Sequence, residues 1–318
     1  MDNLAHTLAG AALGQAGLKR RTGLGMATLM IAANLPDLDG ITMLTGRSLI
    51  WRRGWTHGPI SMVLMPVLLT AVMLLFDRWQ ARRGTRPADR LPVRPGWVLV
   101  LAGIGMLSHV LMDLLNTYGV RCLMPFADRW FYGDMLFIVD VWLWSMLAIG
   151  IWLSRRRERR GGARAARPAL VALILTTAYV GAMGVAGRAA ERYATQQIVA
   201  QGLPVPTRVL ASPVPIDPFR RQILFEVGDA YGFGDVRWTP GPHFTRAPGL
   251  VPTNMGDPAI ARARAQDTAV ADFLYWSRFP FATVRKDAKG TEVVIGDARY
   301  NQNLGGSQFV VRSRVAGK

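Results

Sequence analysis

The sequence of 318 residues contains a single cysteine, Cys122, which excludes an intramolecular disulfide as a source of stability. It also lacks the short motifs of several enzyme classes. There is no G-x-S-x-G nucleophile elbow, no Walker phosphate loop, no Rossmann glycine fingerprint and no H-E-x-x-H metal helix. No positively charged start precedes the first apolar run, which His6 interrupts, so we expect no cleavable signal peptide. Any chemistry must therefore come from residues that these motifs do not describe.

Acidic residues are also few, with 21 Asp and Glu against 38 Lys and Arg, and charge of either sign is nearly absent from several windows. The windows are Thr22–Pro36, Pro59–Phe76, Gly96–Leu111, Met135–Leu153 and Pro168–Gly187. Stretches of roughly 17–25 apolar residues can cross a bilayer. A buried core helix is the alternative for any single window, but the whole set predicts a polytopic α-helical membrane protein. The first segments, Leu4–Leu18 and Thr22–Pro36, are short and are expected to form a tilted or re-entrant hairpin.

The excess positive charge, formally +17, is concentrated between the apolar windows. The clusters are Lys19 to Arg21, Arg78 to Arg94 and Arg155 to Arg167. Short loops rich in Lys and Arg are typical of the cytoplasmic side of a membrane. Anionic lipid headgroups are therefore the expected partners of these clusters, and nucleic acid is not. We predict a multi-pass protein of the bacterial inner membrane, with residues 1–187 as its helical membrane domain.

The composition changes after about Arg188, where proline, glycine and charge increase. Placing the basic clusters in the cytoplasm leaves residues 188–318 on the opposite, periplasmic side. This part is predicted to be an α+β domain dominated by β-structure. Its expected elements are an extended linker over Leu203–Pro218, strands over Gln222–Val227, Thr291–Ile295 and Gln308–Val315, and a helix over Ile260–Trp276.

Ionisable residues collect at the predicted outer ends of the apolar segments, although only the basic clusters were used to set the topology. They are His6, Asp37, Asp39, His57, His109, Asp113, Asp134 and Asp140. His109 and Asp113 are spaced i, i+4 and share one face of a helix. Asp37 and Asp39 are spaced i, i+2 and point to one side of an extended segment. The pattern predicts one polar site at the outer edge of the membrane.

A bound cation would explain why carboxylates occur in so apolar a setting, where they are costly unless paired or coordinated. A set of His and Asp ligands without a thiolate fits zinc, manganese, iron or nickel. Without the weaker candidates Asp134 and Asp140, six ligands remain; they exceed the four of a tetrahedral zinc, so two ions can be accommodated. Other interpretations remain open. Asp37 and Asp39 can cap a turn, and His57 can be an interfacial hydrogen-bonding residue. His109 and Asp113 can satisfy each other, and either Asp134 or Asp140 can simply mark the interface.

Several of these residues lie in stretches that occur in a fixed order along the first 150 or so residues. The stretches are His6-Thr7, PDLD (Pro36–Asp39), RGWTH (Arg53–His57), SHVLMDLLNTYG (Ser108–Gly119), MPF (Met124–Phe126) and GDMLFIVDVWLW (Gly133–Trp144). This ordered set resembles the YdjM-like family of membrane-bound metal-dependent hydrolases. The resemblance implies that the metal ligands are His6, Asp37, Asp39, His57, His109 and Asp113, with Asp140 as a further acid of the site.

We therefore expect a hydrolase that uses a divalent metal, zinc in the first place, at the outer face of the membrane. Asp39 or Asp113 would act as general base on a metal-bound water. Membrane lipids are the expected partners, and a lipid ester or phosphoester is the expected substrate. A transporter or ion-handling protein is one alternative, although no internal repeat is seen. A structural membrane protein with a non-catalytic metal is the other.

Overall fold

The computed structural model describes residues 1–45, 48–288, 290–302 and 309–315. Two compact units make up the chain. The first comprises Met1–Gly40 and Arg52–Gly184, and the second comprises Ile41–Trp51 and Val185–Lys318. Helices make up the first unit and antiparallel sheet dominates the second. The predicted combination of membrane helices with a β-rich C-terminal region is confirmed at this level.

The helices differ widely in length. In chain order they are α1 (Asn3–Gln15), α2 (Gly25–Ala32), α3 (Ser48–Trp51), α4 (Pro59–Arg82), α5 (Pro95–Asp113), α6 (Val141–Arg159), α7 (Arg167–Ala200), α8 (Pro258–Gln266) and α9 (Thr268–Trp276). Short 3₁₀ segments cover Leu18–Arg20, Leu35–Thr45 and Trp55–His57. Judged by length and composition, α4, α5 and α7 are able to cross a membrane. The 13 residues of α1 and the 8 of α2 reach only about 20 Å and 12 Å at 1.5 Å per residue.

The end of α2 is fixed to α1 by a side chain. Asn34 donates from Nδ2 to Thr7 Oγ1 at 2.9 Å and to Met30 O, also at 2.9 Å. The α-helix cannot continue far beyond this point because the residue before a proline disfavours helical geometry, and Pro36 follows. The chain therefore leaves α2 next to α1 and enters the 3₁₀ segment that carries Asp37 and Asp39.

One face of α5 is buried along its whole length. The buried positions are Val98, Leu101, Ala102, Gly105, Met106, His109, Val110 and Asp113, at intervals of three and four residues. Spacing of this kind places side chains on a single stripe of a helix. The apolar part of the stripe packs with Ala32 of α2 and with Leu69 and Met73 of α4. The same stripe carries His109 and Asp113 into the interior at the C-terminal end of α5.

The two helices α1 and α6 lie side by side and run in the same direction. Near their first residues, Trp144 Nε1 donates to Asp2 Oδ2 at 3.1 Å, and near their ends Lys19 Nζ donates to Glu158 Oε2 at 2.5 Å. Between these contacts, Ala5, Ala9 and Ala12 of α1 pack against leucines of α6. Small side chains on α1 let the two helices approach closely.

The second unit contains two antiparallel sheets. The strands are β1 (Arg208–Pro213), β2 (Arg220–Val227), β3 (Ala230–Arg237), β4 (His243–Arg246), β5 (Val251–Pro252), β6 (Pro280–Asp287), β7 (Gly290–Asp297) and β8 (Val310–Val315). One sheet has the order β1-β2-β3-β4 with β5 also paired to β3, and the other has the order β6-β7-β8. The last turns of α7 bury Ala190, Ala194 and Ile198 against the first sheet.

Some elements differ from the sequence-based expectation. The helix expected over 260–276 is two helices, because Asp267 ends α8 and caps α9, where its side chain accepts from Ala269 N at 2.9 Å. The extended linker expected over 203–218 contains strand β1, which pairs with β2. The strands expected over 222–227 and 291–295 lie within β2 and β7. The third expected strand corresponds to β8, although its first residue, Gln308, lies outside the described part of the chain.

Candidate metal centre

His109 is buried completely, and a backbone carbonyl fixes its orientation. Its Nδ1 lies 2.7 Å from the carbonyl oxygen of Ala33, just beyond the end of α2. A carbonyl oxygen can only accept, so we assign the ring proton to Nδ1. The other nitrogen, Nε2, then carries a lone pair, and this lone pair faces the interior of the site. A backbone carbonyl behind the ring is a usual partner of a metal-binding histidine.

His57 reaches the same point from the 3₁₀ turn that precedes α4, and it too is buried. The Thr56 hydroxyl lies 2.8 Å from Asp39 Oδ2 and 2.9 Å from His57 Nδ1. A hydroxyl lone pair directed at a carboxylate would be repelled, so the hydroxyl donates to Asp39 and accepts from Nδ1. This relay places the ring proton of His57 on Nδ1. The lone pair of His57 is therefore also on Nε2.

The two Nε2 atoms of His57 and His109 are 3.1 Å apart. Both carry lone pairs in this assignment, and two lone pairs at that distance repel unless a cation or a proton lies between them. Two nitrogens bound to one tetrahedral zinc, each at about 2.1 Å from it, are roughly 3.4 Å apart. The observed separation is close to this value. The histidine pair therefore fits a shared metal ion.

Two carboxylates complete the group. Asp113 Oδ2 lies 3.1 Å from His57 Nε2 and 3.5 Å from His109 Nε2, and Asp37 Oδ1 lies 3.8 Å from His109 Nε2. One donor atom from each of Asp37, His57, His109 and Asp113 lies within 4.8 Å of all the others. Asp37 Oδ1 is buried and has no hydrogen-bond partner among the described residues. Two imidazoles and two carboxylates suit zinc, manganese, iron or nickel.

His6 lies against this group but is not one of the four residues. Its ring stacks on that of His109, with centroids 3.8 Å apart and an angle of 19° between the planes. Its Nε2 is 3.4 Å from Asp113 Oδ1, the carboxylate oxygen that also contacts the amino group of Met1. Within the described part of the chain, neither ring nitrogen of His6 has a hydrogen-bond partner, although both are buried. A buried imidazole that lacks a hydrogen-bond partner has a nitrogen lone pair available for an additional metal ion.

The two remaining expected ligands have other contacts. Asp39 Oδ2 accepts from Arg53 N at 2.7 Å and from the Thr56 hydroxyl, so this carboxylate lies behind His57. Asp140 is the N-cap of α6, where it accepts from Leu143 N at 2.8 Å and from the hydroxyl of Tyr179 at 3.0 Å. The structure therefore places Asp39 next to the four-residue group and Asp140 outside it. Asp140 thus caps a helix, a role that differs from the metal ligand and from the marker of the membrane interface considered above.

Arg53 is a residue of the site that reasoning from the sequence did not single out. It is 2% exposed, and its Nε lies 3.2 Å from Asp113 Oδ2. One terminal nitrogen donates to Asn116 Oδ1 at 3.0 Å, and the guanidinium lies 4.8 Å from the centre of the Tyr118 ring. The RGWTH stretch contained this residue, but nothing in the sequence alone showed that it pairs with an acid 60 positions further along.

The sequence was compared with known proteins. The family model described as "YdjM inner membrane protein" matches residues 1–190, which contain every residue of the metal centre. A similar curated protein is the Bacillus subtilis protein described as "Uncharacterized protein YfhP", with 28% identity over 131 residues. That match covers 40% of this chain and 36% of the relative, so the chain spans little more than a third of the relative's length. No solved structure matches.

Proposed function

The chain belongs to the YdjM family of inner membrane proteins, and from this premise we propose that it is a membrane-bound metal-dependent hydrolase. One observation carries the proposal. The Nε2 atoms of His57 and His109 face each other at 3.1 Å, beside the carboxylate of Asp113. Hydrogen-bond partners behind both rings orient these nitrogens inward, as a metal site requires.

The four-residue group of Asp37, His57, His109 and Asp113 would hold the first ion. Zinc is the ion that we propose, with manganese, iron or nickel as alternatives of similar ligand preference. When bound, such an ion lowers the pKa of a coordinated water enough to supply hydroxide near neutral pH. His6, whose ring nitrogens have no hydrogen-bond partner among the described residues, is the ligand that we propose for a second ion.

The two carboxylates expected as general base have different surroundings. Asp113 directs Oδ2 at the histidine pair and at Arg53, and Oδ1 at His6 and the amino group of Met1. Both oxygens belong to a residue of the four-residue group, so one could hold the ion while the other accepts a proton from water. Asp39 lies behind His57, where it accepts from a backbone amide and from Thr56. We therefore propose Asp113 as the base. Asp39 would act through Thr56 on His57, as a positioning residue.

Apolar side chains next to the site support a lipid substrate. Leu38, between the two acids of the PDLD stretch, is 61% exposed, and Trp55, two residues before His57, is 47% exposed. We expect these exposed apolar side chains to contact the bilayer, because tryptophan is common at the membrane interface. A substrate with hydrocarbon chains would reach the metal along this surface. We propose a lipid ester or phosphoester, hydrolysed at the periplasmic face.

The first experiment is elemental mass spectrometry of the detergent-purified protein. We expect stoichiometric metal in the wild type and its loss in His57→Ala and His109→Ala. The control is His243→Ala, because the fourth histidine of the chain is exposed on β4 and should be irrelevant to metal content. Absence of metal from the wild type after supplementation with each candidate ion would refute the proposal.

Activity is then measured on vesicles that contain ester- and phosphoester-linked lipids, with and without a chelator. Hydrolysis that stops on chelation and returns on adding metal would support the enzyme. Stoichiometric metal with no hydrolysis of either bond type would favour the structural alternative. Metal-free protein that carries ions across proteoliposomes, and loses this activity on His109→Ala, would favour the ion-handling alternative.

A further inference from the structure

A groove of about 500 Å³ opens where α1 meets the C-terminal half of α6. Its floor is apolar and consists of Leu8, Ala148, Ile151 and Trp152. Its rim carries Arg155, Arg156, Arg159 and Arg160. Hydrocarbon-lined walls that end in guanidinium groups match the two parts of a phospholipid, an acyl chain and an anionic headgroup.

The rim has positive charge that the described residues leave uncompensated. Arg155, Arg159 and Arg160 have no ion-pair partner within the described ranges, and Arg156 lies over the ring of Trp152 at 5.4 Å. The nearest acid in sequence, Glu158, is paired with Lys19 at 2.5 Å and does not line this groove. An arginine fork binds the oxygens of a phosphate group in pairs, so four arginines suit the phosphate of an anionic headgroup.

A neighbouring groove offers a contrast on the same helix. It has a volume of about 430 Å³ and shares Ile151, Arg155 and Arg159, but its wall includes Glu158 as well as Lys19. A carboxylate in the wall repels a phosphate, and the lysine is already paired. The arginine-rimmed groove without an acid is therefore the better anion site.

We propose that this groove binds one anionic glycerophospholipid, with its phosphate on the four arginines and an acyl chain along Leu8, Ala148 and Ile151. The occupant is a lipid rather than a soluble phosphate because half of the lining is apolar and α6 follows apolar membrane segments. Basic pockets between membrane helices on the cytoplasmic side are known to take such headgroups. The proposal does not depend on the metal centre.

Native mass spectrometry of the full-length protein in detergent tests this inference, using phosphatidylglycerol and phosphatidylcholine with the same acyl chains. We expect at least tenfold tighter binding of phosphatidylglycerol. The variant with Arg155, Arg156, Arg159 and Arg160 all changed to Gln should lose this preference. The control changes four exposed arginines elsewhere, Arg78, Arg82, Arg83 and Arg94, to Gln, and should retain it.

A second variant keeps every charge. Ala148→Trp fills the floor of the groove at an exposed position and should weaken phosphatidylglycerol binding at least fivefold, even if the arginine variant does not fold. Equal binding of the two lipids by the wild type would overturn the proposal. An equal loss of the preference for phosphatidylglycerol in the control arginine variant would also overturn it, because it would show an effect of general surface charge. Unchanged phosphatidylglycerol binding by Ala148→Trp would overturn it as well.

Discussion

Gly10 of α1 and Gly105 of α5 both lie against the backbone of Leu29 in α2. A Cβ atom would be 2.7 Å from the Leu29 carbonyl oxygen at Gly10 and 2.9 Å from the same oxygen at Gly105. Each glycine is four residues from a histidine of the candidate metal centre, Gly10 from His6 and Gly105 from His109. The close approach of three helices at Leu29 is therefore what allows the two imidazoles to stack one turn away.

Gly105→Ala should separate α5 from α2 and reduce metal content although no ligand is changed. We expect a destabilisation of about 1–3 kcal/mol, which is typical of forcing a methyl group into a packed core. Gly103→Ala is the matched control, because nothing lies within 4 Å of a Cβ at this position of the same helix. It should be neutral or stabilising by up to about 1 kcal/mol. Thermal unfolding and elemental mass spectrometry on both variants measure the difference, and equal metal content would contradict the packing argument.

Thr56→Val should weaken metal binding because it removes the hydroxyl that links Asp39 to His57. Loss of a group that orients a ligand commonly costs about 10–100-fold in metal affinity. Thr56→Ser keeps the hydroxyl and should restore affinity to near that of the wild type. Competition titration with a chelator of known affinity gives the values. Equal affinities for the Val and Ser variants would show that the relay does not orient His57.

Arg53→Met should destabilise the metal-free protein more than the metal-loaded protein. Breaking a buried ion pair by removing one partner costs about 3–5 kcal/mol. Asp113 would stay buried with the amino group of Met1 as its remaining cationic contact. A bound cation would replace the missing positive charge, so the rise in Tm on adding metal should be larger than in the wild type. Arg52→Met, at a partly exposed arginine, is the control. If metal raised the Tm of Arg53→Met by no more than that of the wild type, Arg53 would not be the counter-ion that balances Asp113 when no metal is bound.

The second unit should lose stability at low pH through Asp297. Burial alone would raise the pKa of this carboxyl group, but the guanidinium of Arg299 and hydrogen bonds from Ser277 and Arg299 outweigh it and lower the pKa. A carboxyl group with a lowered folded-state pKa stabilises the fold above its unfolded pKa of about 3.9, and this contribution disappears as the pH falls through the folded-state value.

Asp297→Asn should therefore cost about 3 kcal/mol at pH 7 and progressively less as the pH falls below 4. Asp287→Asn is its control, because the pair between Asp287 and Arg314 is exposed on both sides. Tryptophan fluorescence can follow unfolding, and Trp276, whose ring lies 4.8 Å from the Arg299 guanidinium, contributes to it from beside this pair. A constant difference between Asp297→Asn and the wild type over pH 2–7 would contradict the assignment.

Thiol labelling tests the proposed topology. In a Cys122→Ser background, Asp287→Cys should react with a membrane-impermeant maleimide in intact spheroplasts. Thr85→Cys, in the arginine-rich connection between α4 and α5, should react only after lysis. Both positions are exposed, so a difference in labelling reports the side of the membrane. Labelling of Thr85→Cys in intact spheroplasts would reverse the proposed orientation.

Part of the candidate metal centre could be predicted from the sequence because it depends on local spacing. The i, i+4 spacing of His109 and Asp113 determines that both face the same side of α5, whatever the rest of the fold does. The roles of Thr56 and Arg53 could not be predicted in this way. They depend on contacts with Asp39 and Asp113, which the tertiary structure alone brings within reach.

The same distinction explains the elements that differed from expectation. A helical periodicity continues from Ile260 to Trp276, but it does not show that the Asp267 side chain caps a new helix. The proline-rich stretch before Asp217 indicates extended backbone, but whether extended backbone becomes a strand depends on a partner, which β2 supplies. In the same way, Asp140 could be recognised as polar at a helix end, but its contact with Tyr179 depends on the packing of α7.

The ligands proposed for the metal ion come from chain segments that are far apart, with His57 and Asp113 separated by 56 positions. A cation held between them would close a long loop, and cross-links over long loops restrict the unfolded chain most. In a chain whose only thiol is Cys122, the ion would thus take the place of a disulfide. Metal content would then report assembly, because a chain whose helices have not yet come together has no place to hold the ion.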